Sequence, residues 1–133
     1  MNNALNLIGR LLIAALFLPA GLAKLAGFDG TVGYIESVGF PLPAVAATVA
    51  LAVEILGSVA LILGFQTRVT ASVLAVFTMV ASIFFHAFWA AAPEQAFVQQ
   101  LLFFKNIGVI GGLLVLVSSG AGAWSLDAKK EAQ

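Results

Sequence analysis

The sequence predicts an all-α fold: four transmembrane helices in an antiparallel, left-handed bundle, with a short interfacial helix between the first and second. Three observations carry this. Of 133 residues, 62% are apolar and 9% charged, against about 45–50% and about 25% in soluble domains. The mean hydropathy is +1.09, an excess that so small a chain has too little interior to hide. The apolar residues also fall into four runs of about 20, each enough to cross about 30 Å of hydrocarbon. Lipid is therefore the expected solvent. No linker or low-complexity tract divides the chain, so residues 1–133 read as a single membrane domain.

The first run covers residues 5–26. Arg10 and the small residues Gly21-Leu22-Ala23 also fit a cleavable leader, but the run is long for one, and its removal would leave three helices with unbalanced flanks. It is read as the first span, ending at the turn Gly27-Phe28-Asp29-Gly30. Residues 31–38 then read as a small amphipathic helix on the membrane surface, capped by Asp29 or Thr31 and stopped by Gly39 and Pro41. The second span covers 44–63, followed by Gly64-Phe65-Gln66-Thr67-Arg68. The third covers 69–91 and the fourth 96–117, separated by Pro93-Glu94-Gln95. Connections this short make neighbouring helices antiparallel.

Arg10, Arg68, Lys129 and Lys130 fall on one side of these spans, whereas Lys24 lies on the other with Asp29, Glu36 and Glu94. Basic flanks face the cytoplasm, so both termini are expected on the cytoplasmic side of a bacterial inner (plasma) membrane. Trp124 and Trp89 would then mark the inner and outer interfaces.

Composition also excludes several chemistries. Six basic residues balance six acidic ones, so no cationic face is available for nucleic acid. The absence of cysteine removes thiolate nucleophiles, disulfide exchange and iron–sulfur ligation. With one histidine and scattered acids, the chain lacks the ligands for a metal site, and none is expected.

The informative residues are the few ionisable ones within the spans, because a charge facing lipid costs several kcal/mol and is normally turned inward. Alternating steps of three and four place Leu7, Arg10, Ala14, Phe17, Gly21 and Lys24 on one face of the first helix. The same rule groups Ala47, Ala50, Glu54, Gly57, Leu61 and Gly64 in the second. It groups Ser72, Ala75, Met79, Ser82, His86 and Trp89 in the third, and Leu101, Lys105, Gly108, Gly112, Val115 and Ser119 in the fourth. At about 1.5 Å per residue from the outer ends, Glu54 lies about 15 Å deep, Lys105 about 14 Å, His86 about 9 Å and Lys24 about 5 Å. Equal depth pairs Glu54 with Lys105, with Asn106 as a neighbouring hydrogen-bond donor. Gly108 and Gly112 form a small-residue face suited to close helix approach.

Each of these residues also has a purely structural reading. A Glu54–Lys105 pair can simply fix helix register, and His86 can be hydrogen-bonded and inert, although its imidazole titrates near neutrality. Arg10 reads as a structural residue snorkelling to the inner headgroups, and Arg68 as a topogenic charge in a tight loop. The candidates for ligand binding or proton relay are Glu54, His86, Lys105, Asn106 and Lys24; no catalytic residue is assigned.

Taken in order, several segments resemble the DoxX family, particularly its short bacterial inner-membrane members. They are Arg10, Gly21-Leu22-Ala23-Lys24-Leu25, Gly30 to Gly39 with Pro41, Glu54 through Gly57, and Gly64-Phe65-Gln66-Thr67-Arg68, followed by His86. Phe104-Lys105-Asn106-Ile107-Gly108-Val109-Ile110-Gly111-Gly112 and Ser119-Gly120-Ala121-Gly122-Ala123-Trp124-Ser125-Leu126-Asp127 complete the set. The resemblance covers nearly the whole chain and implies a four-helix membrane bundle. It also implies a link to membrane oxidoreductase systems, since some relatives are subunits of thiosulfate:quinone oxidoreductase or of assemblies handling thiol stress. Without cysteine, thiol chemistry cannot run within this subunit.

The leading expectation is a redox-associated accessory subunit, surrounded by the lipid bilayer, that binds a quinone-like molecule or a membrane or peripheral oxidoreductase partner through its buried polar cluster. A proton-coupled transporter of a small solute is the second reading, with Glu54 and His86 relaying protons. A structural or assembly protein without chemistry of its own is the third, and its small-residue faces also suit self-association into a homo-oligomer.

Overall fold

The computed structural model describes residues 2–133, which are helical with no strand among them. Helix α1 (Asn3–Ala26) starts where the Asn2 side chain accepts hydrogen bonds from the amides of Ala4 and Leu5, satisfying donors that have no partner within the helix. Only Gly27 separates it from α2 (Phe28–Ser37). That helix begins three residues before the predicted start, and neither Asp29 nor Thr31 caps it. Instead the Thr31 hydroxyl donates to the Gly27 carbonyl at 3.2 Å. Helix α3 (Pro43–Leu63) has proline in its first turn and ends at Gly64 in the left-handed region, φ 64°. There the Phe65 amide reaches back to the Ala60 carbonyl at 2.9 Å, a closure that glycine permits.

Helix α4 (Thr67–Phe85) stops short of the predicted third span. His86 leaves helical geometry at φ −127°, ψ 38°, and the chain makes one 3₁₀ turn, Phe88–Ala90. Hydropathy alone does not register this break, because residues 67–90 remain apolar enough to read as one span. Helix α5 (Pro93–Ser119) runs the full thickness and ends at Gly120, φ 74°. A six-residue helix that the apolar pattern does not reveal, α6 (Leu126–Glu131), closes the chain and is capped by the Ser125 hydroxyl.

Helices α1, α3, α4 and α5 are each long and apolar enough to cross a membrane. Helix α1 packs mainly on α3 and α4 mainly on α5; the α3–α4 contact joins the two pairs, and α2 lies against α3. Both termini lie at one end of the bundle, where the Asn6 amide donates to the Gly120 carbonyl at 2.9 Å. The core lies toward this end, built from Ala14, Phe17, Leu61, Ala71, Leu74, Leu113 and Leu116. The opposite half is hollow.

The end carrying the termini is sealed by polar groups. Arg10 is fully buried and does not snorkel. Its Nη1 donates to the carbonyls of Leu61 (2.8 Å) and Ile62 (3.3 Å), Nη2 to Trp124 (2.6 Å) and Nε to Asn6 Oδ1 (3.1 Å). The guanidinium thus satisfies last-turn carbonyls of α3 that lipid would leave unpaired. Arg68 does the same for α5, donating to Val117 at 2.6 Å and Ser118 at 2.7 Å; it is more than a topogenic charge. The Asp127 carboxylate accepts from the amides of Gln66 (2.7 Å) and Thr67 (2.8 Å), capping α4 from a remote part of the chain. Partial burial acts to raise the Asp127 pKa, but those amides and the Arg10 charge outweigh it and hold the carboxyl below its ordinary value.

Candidate functional site

The hollow half holds a cavity of about 1080 Å³ that is open on one side. Apolar residues of α1, α3 and α4, among them Phe17, Val49, Val53, Val76 and Phe77, make most of its wall. Thr31, Tyr34 and Ile35 of α2 contribute from the side nearest the open end. Aromatic contacts hold this part in place: the Tyr34 ring lies 5.5 Å from Phe85, and Phe40 lies 4.8 Å from Phe84. All five residues singled out in the sequence, Lys24, Glu54, His86, Lys105 and Asn106, border this cavity. Their pairing differs from the expected one.

Glu54 pairs with Lys24 rather than Lys105: the ammonium nitrogen lies 3.1 Å from Oε1 and 2.9 Å from Oε2. The correction follows from side-chain direction. Helical side chains lean toward the N-terminus of their own helix. Lys24, near the end of α1, therefore leans into the bundle, while Glu54, on the oppositely directed α3, leans back toward it. Depths counted on Cα atoms alone leave the two about 10 Å apart, a gap that these leanings and a long lysine side chain close.

Close backbone approach completes the pair. A Cβ placed on Gly21 would meet Ile55 Cγ1 at 2.7 Å and Glu54 Cβ at 3.0 Å. Only glycine lets α1 and α3 come so near here. The carboxylate is almost fully buried, and its Oε2 accepts no hydrogen bond of good geometry despite the nearby ammonium. The oxygen is enclosed by protein, and the Lys24 ammonium at 2.9 Å is its charge partner.

Lys105 is exposed on α5 at the cavity edge. Among the described residues Lys24–Glu54 is the only ion pair, which leaves Lys105 without a carboxylate partner. Asn106 is the buried member of that dipeptide and donates to Ser82 Oγ at 2.9 Å, not toward Glu54. Ser82 and Thr78 in turn donate to carbonyls one turn earlier, at 2.6 and 2.7 Å. The His86 Nδ1 lies 2.8 Å from Gln99 Oε1, tying the end of α4 to α5.

The predicted faces of α1 and α3 largely match the buried ones, with Arg10, Ala14, Phe17 and Gly21 inward on α1 and Ala47, Ala50, Glu54 and Leu61 inward on α3. Those of α4 and α5 are rotated. Ala71, Leu74, Ala75, Thr78 and Ser82 face inward on α4, while Ser72 and Met79 face out. On α5, Asn106, Leu113 and Leu116, each one residue on from the predicted stripe, face inward together with Ile110. Gly108 and Gly112 are consequently exposed, with nothing near a Cβ on Gly108 and only Ile13 Cδ1, at 3.9 Å, near one on Gly112. Gln99 and Thr78 were not anticipated, although a glutamine inside an apolar run is itself a signal that a partner waits nearby.

This is a polar centre set in an apolar, membrane-embedded cavity, on a chain whose residues 5–87 match the DoxX family. The chain belongs to the DoxX family. Similar relatives include two inner membrane proteins of Escherichia coli. YphA is 35% identical over 123 residues, covering 92% of this chain and 88% of that protein. YqjF is 38% identical over 124 residues, covering 91% and 88%. A Surfeit locus protein 4 homolog of Schizosaccharomyces pombe is 33% identical over 72 residues, covering 53% of this chain and 24% of the yeast protein. No solved structure matches this DoxX protein. Its family and its four apolar helices make it an integral membrane protein, with lipid against its exposed leucines, valines and phenylalanines.

Proposed function

We propose that this DoxX protein is a redox-associated accessory subunit of the bacterial inner membrane that holds a quinone-like molecule in its cavity and serves a membrane or peripheral oxidoreductase partner. The observation that carries the reading is the pairing of a large apolar cavity with few polar groups on its wall: the Lys24–Glu54 pair and Lys105 with no carboxylate partner. Ligand sites characteristically combine an apolar wall with a small number of placed polar atoms. The ammonium groups of Lys24 and Lys105 suit the oxygens of a flat, oxygen-bearing ring, and Glu54 suits a hydroxyl. Such a ring supplies paired electron and proton transfer when bound. The protein's share is to orient it, keep water from it and leave Glu54 and His86 beside it.

The basic residues Arg68, Lys129 and Lys130 at the end carrying the termini support a cytoplasmic location for both termini. The binding test uses the protein in lipid nanodiscs, titrated with a benzoquinone. The reading expects saturable binding that weakens about tenfold, or ~1.4 kcal/mol, in Lys105→Ala. Absence of binding, or binding indifferent to Lys105→Ala, would remove it. Proton-coupled solute flux in liposomes without quinone binding would replace it with the transporter reading.

A further inference from the structure

A second cavity, of about 520 Å³, lies between α3 and α4 on the side nearer the termini. It is a furrow walled by apolar residues such as Leu56, Val59, Leu63 and Val69, with Gln66 and Thr70 its polar lining residues at the far end. Its wall faces the bilayer, since Leu56 is 67% and Val69 59% exposed. The furrow has a floor because Gly57 meets Leu74: a Cβ on Gly57 would lie 3.1 Å from Leu74 Cδ2. The two helices touch along that line, and their outer edges diverge above it.

Val53 and Val73 line both cavities, so the two adjoin at these side chains. The larger holds Lys24, Glu54 and Lys105, while the furrow holds no ionisable group. From Val53 to Leu63 the furrow follows α3 for about 15 Å. A closed site for a compact solute has no need of an apolar exit running this far along the lipid-facing surface.

We infer that the occupant is a single-tailed amphiphile, its polar head among Lys24, Glu54 and Lys105, its chain leaving between Val53 and Val73 and lying in the α3–α4 furrow toward Gly64. The distribution of polarity supports this: charged groups in one cavity, hydrocarbon alone along the furrow that adjoins it. The tail stays at the bilayer edge, so the ligand reaches the head site sideways from the membrane, without crossing the water. The inference rests on the preceding reading of the larger cavity and adds the shape of its ligand.

The test compares two probes in nanodiscs by native mass spectrometry and titration: a decyl-substituted benzoquinone and the same ring without the chain. Partition into lipid is the same for every variant, so differences between variants report the site. Val59→Trp fills the furrow at a position 42% exposed that does not border the larger cavity, where a bulky apolar side chain is tolerated. It should weaken the decyl probe about tenfold, as expected for an overpacked contact, and leave the chainless ring unchanged. Leu63→Trp, lower in the furrow, should act in the same direction with smaller size. Lys105→Ala should weaken both probes alike. Retained binding of the chainless ring shows that the variants are folded. If Val59→Trp leaves the decyl probe unaffected, or weakens both probes equally, the tail does not use the furrow and the inference is overturned while the head site stands. If wild-type protein binds neither probe, the head-site reading fails and this inference falls with it.

Discussion

Gly21 of α1 rests against Glu54 of α3 so closely that a Cβ on residue 21 would lie 3.0 Å from the Glu54 Cβ. This contact places Lys24, one turn further along α1, within reach of the carboxylate. A backbone feature thereby sets the electrostatics of the cavity.

Gly21→Leu is expected to force α1 and α3 apart and destabilise the protein by ~1–3 kcal/mol, the usual scale of overpacking. Gly21→Ala should do so less, because one methyl group is smaller than a leucine side chain, although it still meets Ile55 Cγ1 at 2.7 Å. Thermal unfolding in detergent measures both, and equal stability of all three proteins would show that the close approach is not required.

Removing either partner of the Lys24–Glu54 pair leaves a charge in an apolar setting. Lys24→Met should cost more than Glu54→Gln, because the carboxylate is 7% exposed whereas the lysine side chain, at 29%, keeps some access to water or headgroups. The double variant should be more stable than the sum of the single losses, with a coupling of ~0.5–3 kcal/mol in a double-mutant cycle. Additive losses would show that the two do not act as a pair.

The seal at the end carrying the termini depends on geometry as well as charge. Arg10→Lys should lose most of the stabilisation that Arg10→Leu loses, about 2 kcal/mol or more, because one ammonium cannot span the separate carbonyls that the planar guanidinium reaches. Rescue by lysine to wild-type melting temperature would contradict this.

Asp127 predicts a pH dependence. Its folded pKa is depressed, so it contributes stability that is fully present above the unfolded carboxylate value of about 3.9 and is lost as pH falls through the lower folded value. Asp127→Asn should therefore be less stable than wild type at neutral pH, with the difference shrinking below about pH 4. A difference that persists undiminished in acid would show that the amide contacts of Gln66 and Thr67 do not depend on the charge.

How much of this was legible in the sequence depended on polarity contrast. Arg10 with Lys24, and Glu54 with its alanine and glycine neighbours, marked the inner faces of α1 and α3 because a charge cannot face lipid at low cost. On α5 such contrast is weak. Leucine, isoleucine and valine suit lipid and core equally, and the glycines at 108 and 112, read as a packing face, turn outward. The inward residue is Asn106, one step from the charged Lys105. Cα depth points Glu54 to Lys105 and not to Lys24, because it ignores the direction in which helical side chains lean. The break at His86 left no mark on hydropathy, since Phe88 and Trp89 after it remain apolar.

The central claim is that the cavity around Lys24, Glu54 and Lys105 holds a lipid-soluble molecule. Native mass spectrometry of protein released from membrane-derived nanodiscs tests it most directly, comparing wild type with Ala50→Phe, which fills the cavity wall at a buried position. A discrete added mass on the wild type, absent from folded Ala50→Phe, is the predicted result. Bare wild-type protein, or the same adduct on both, would contradict the account.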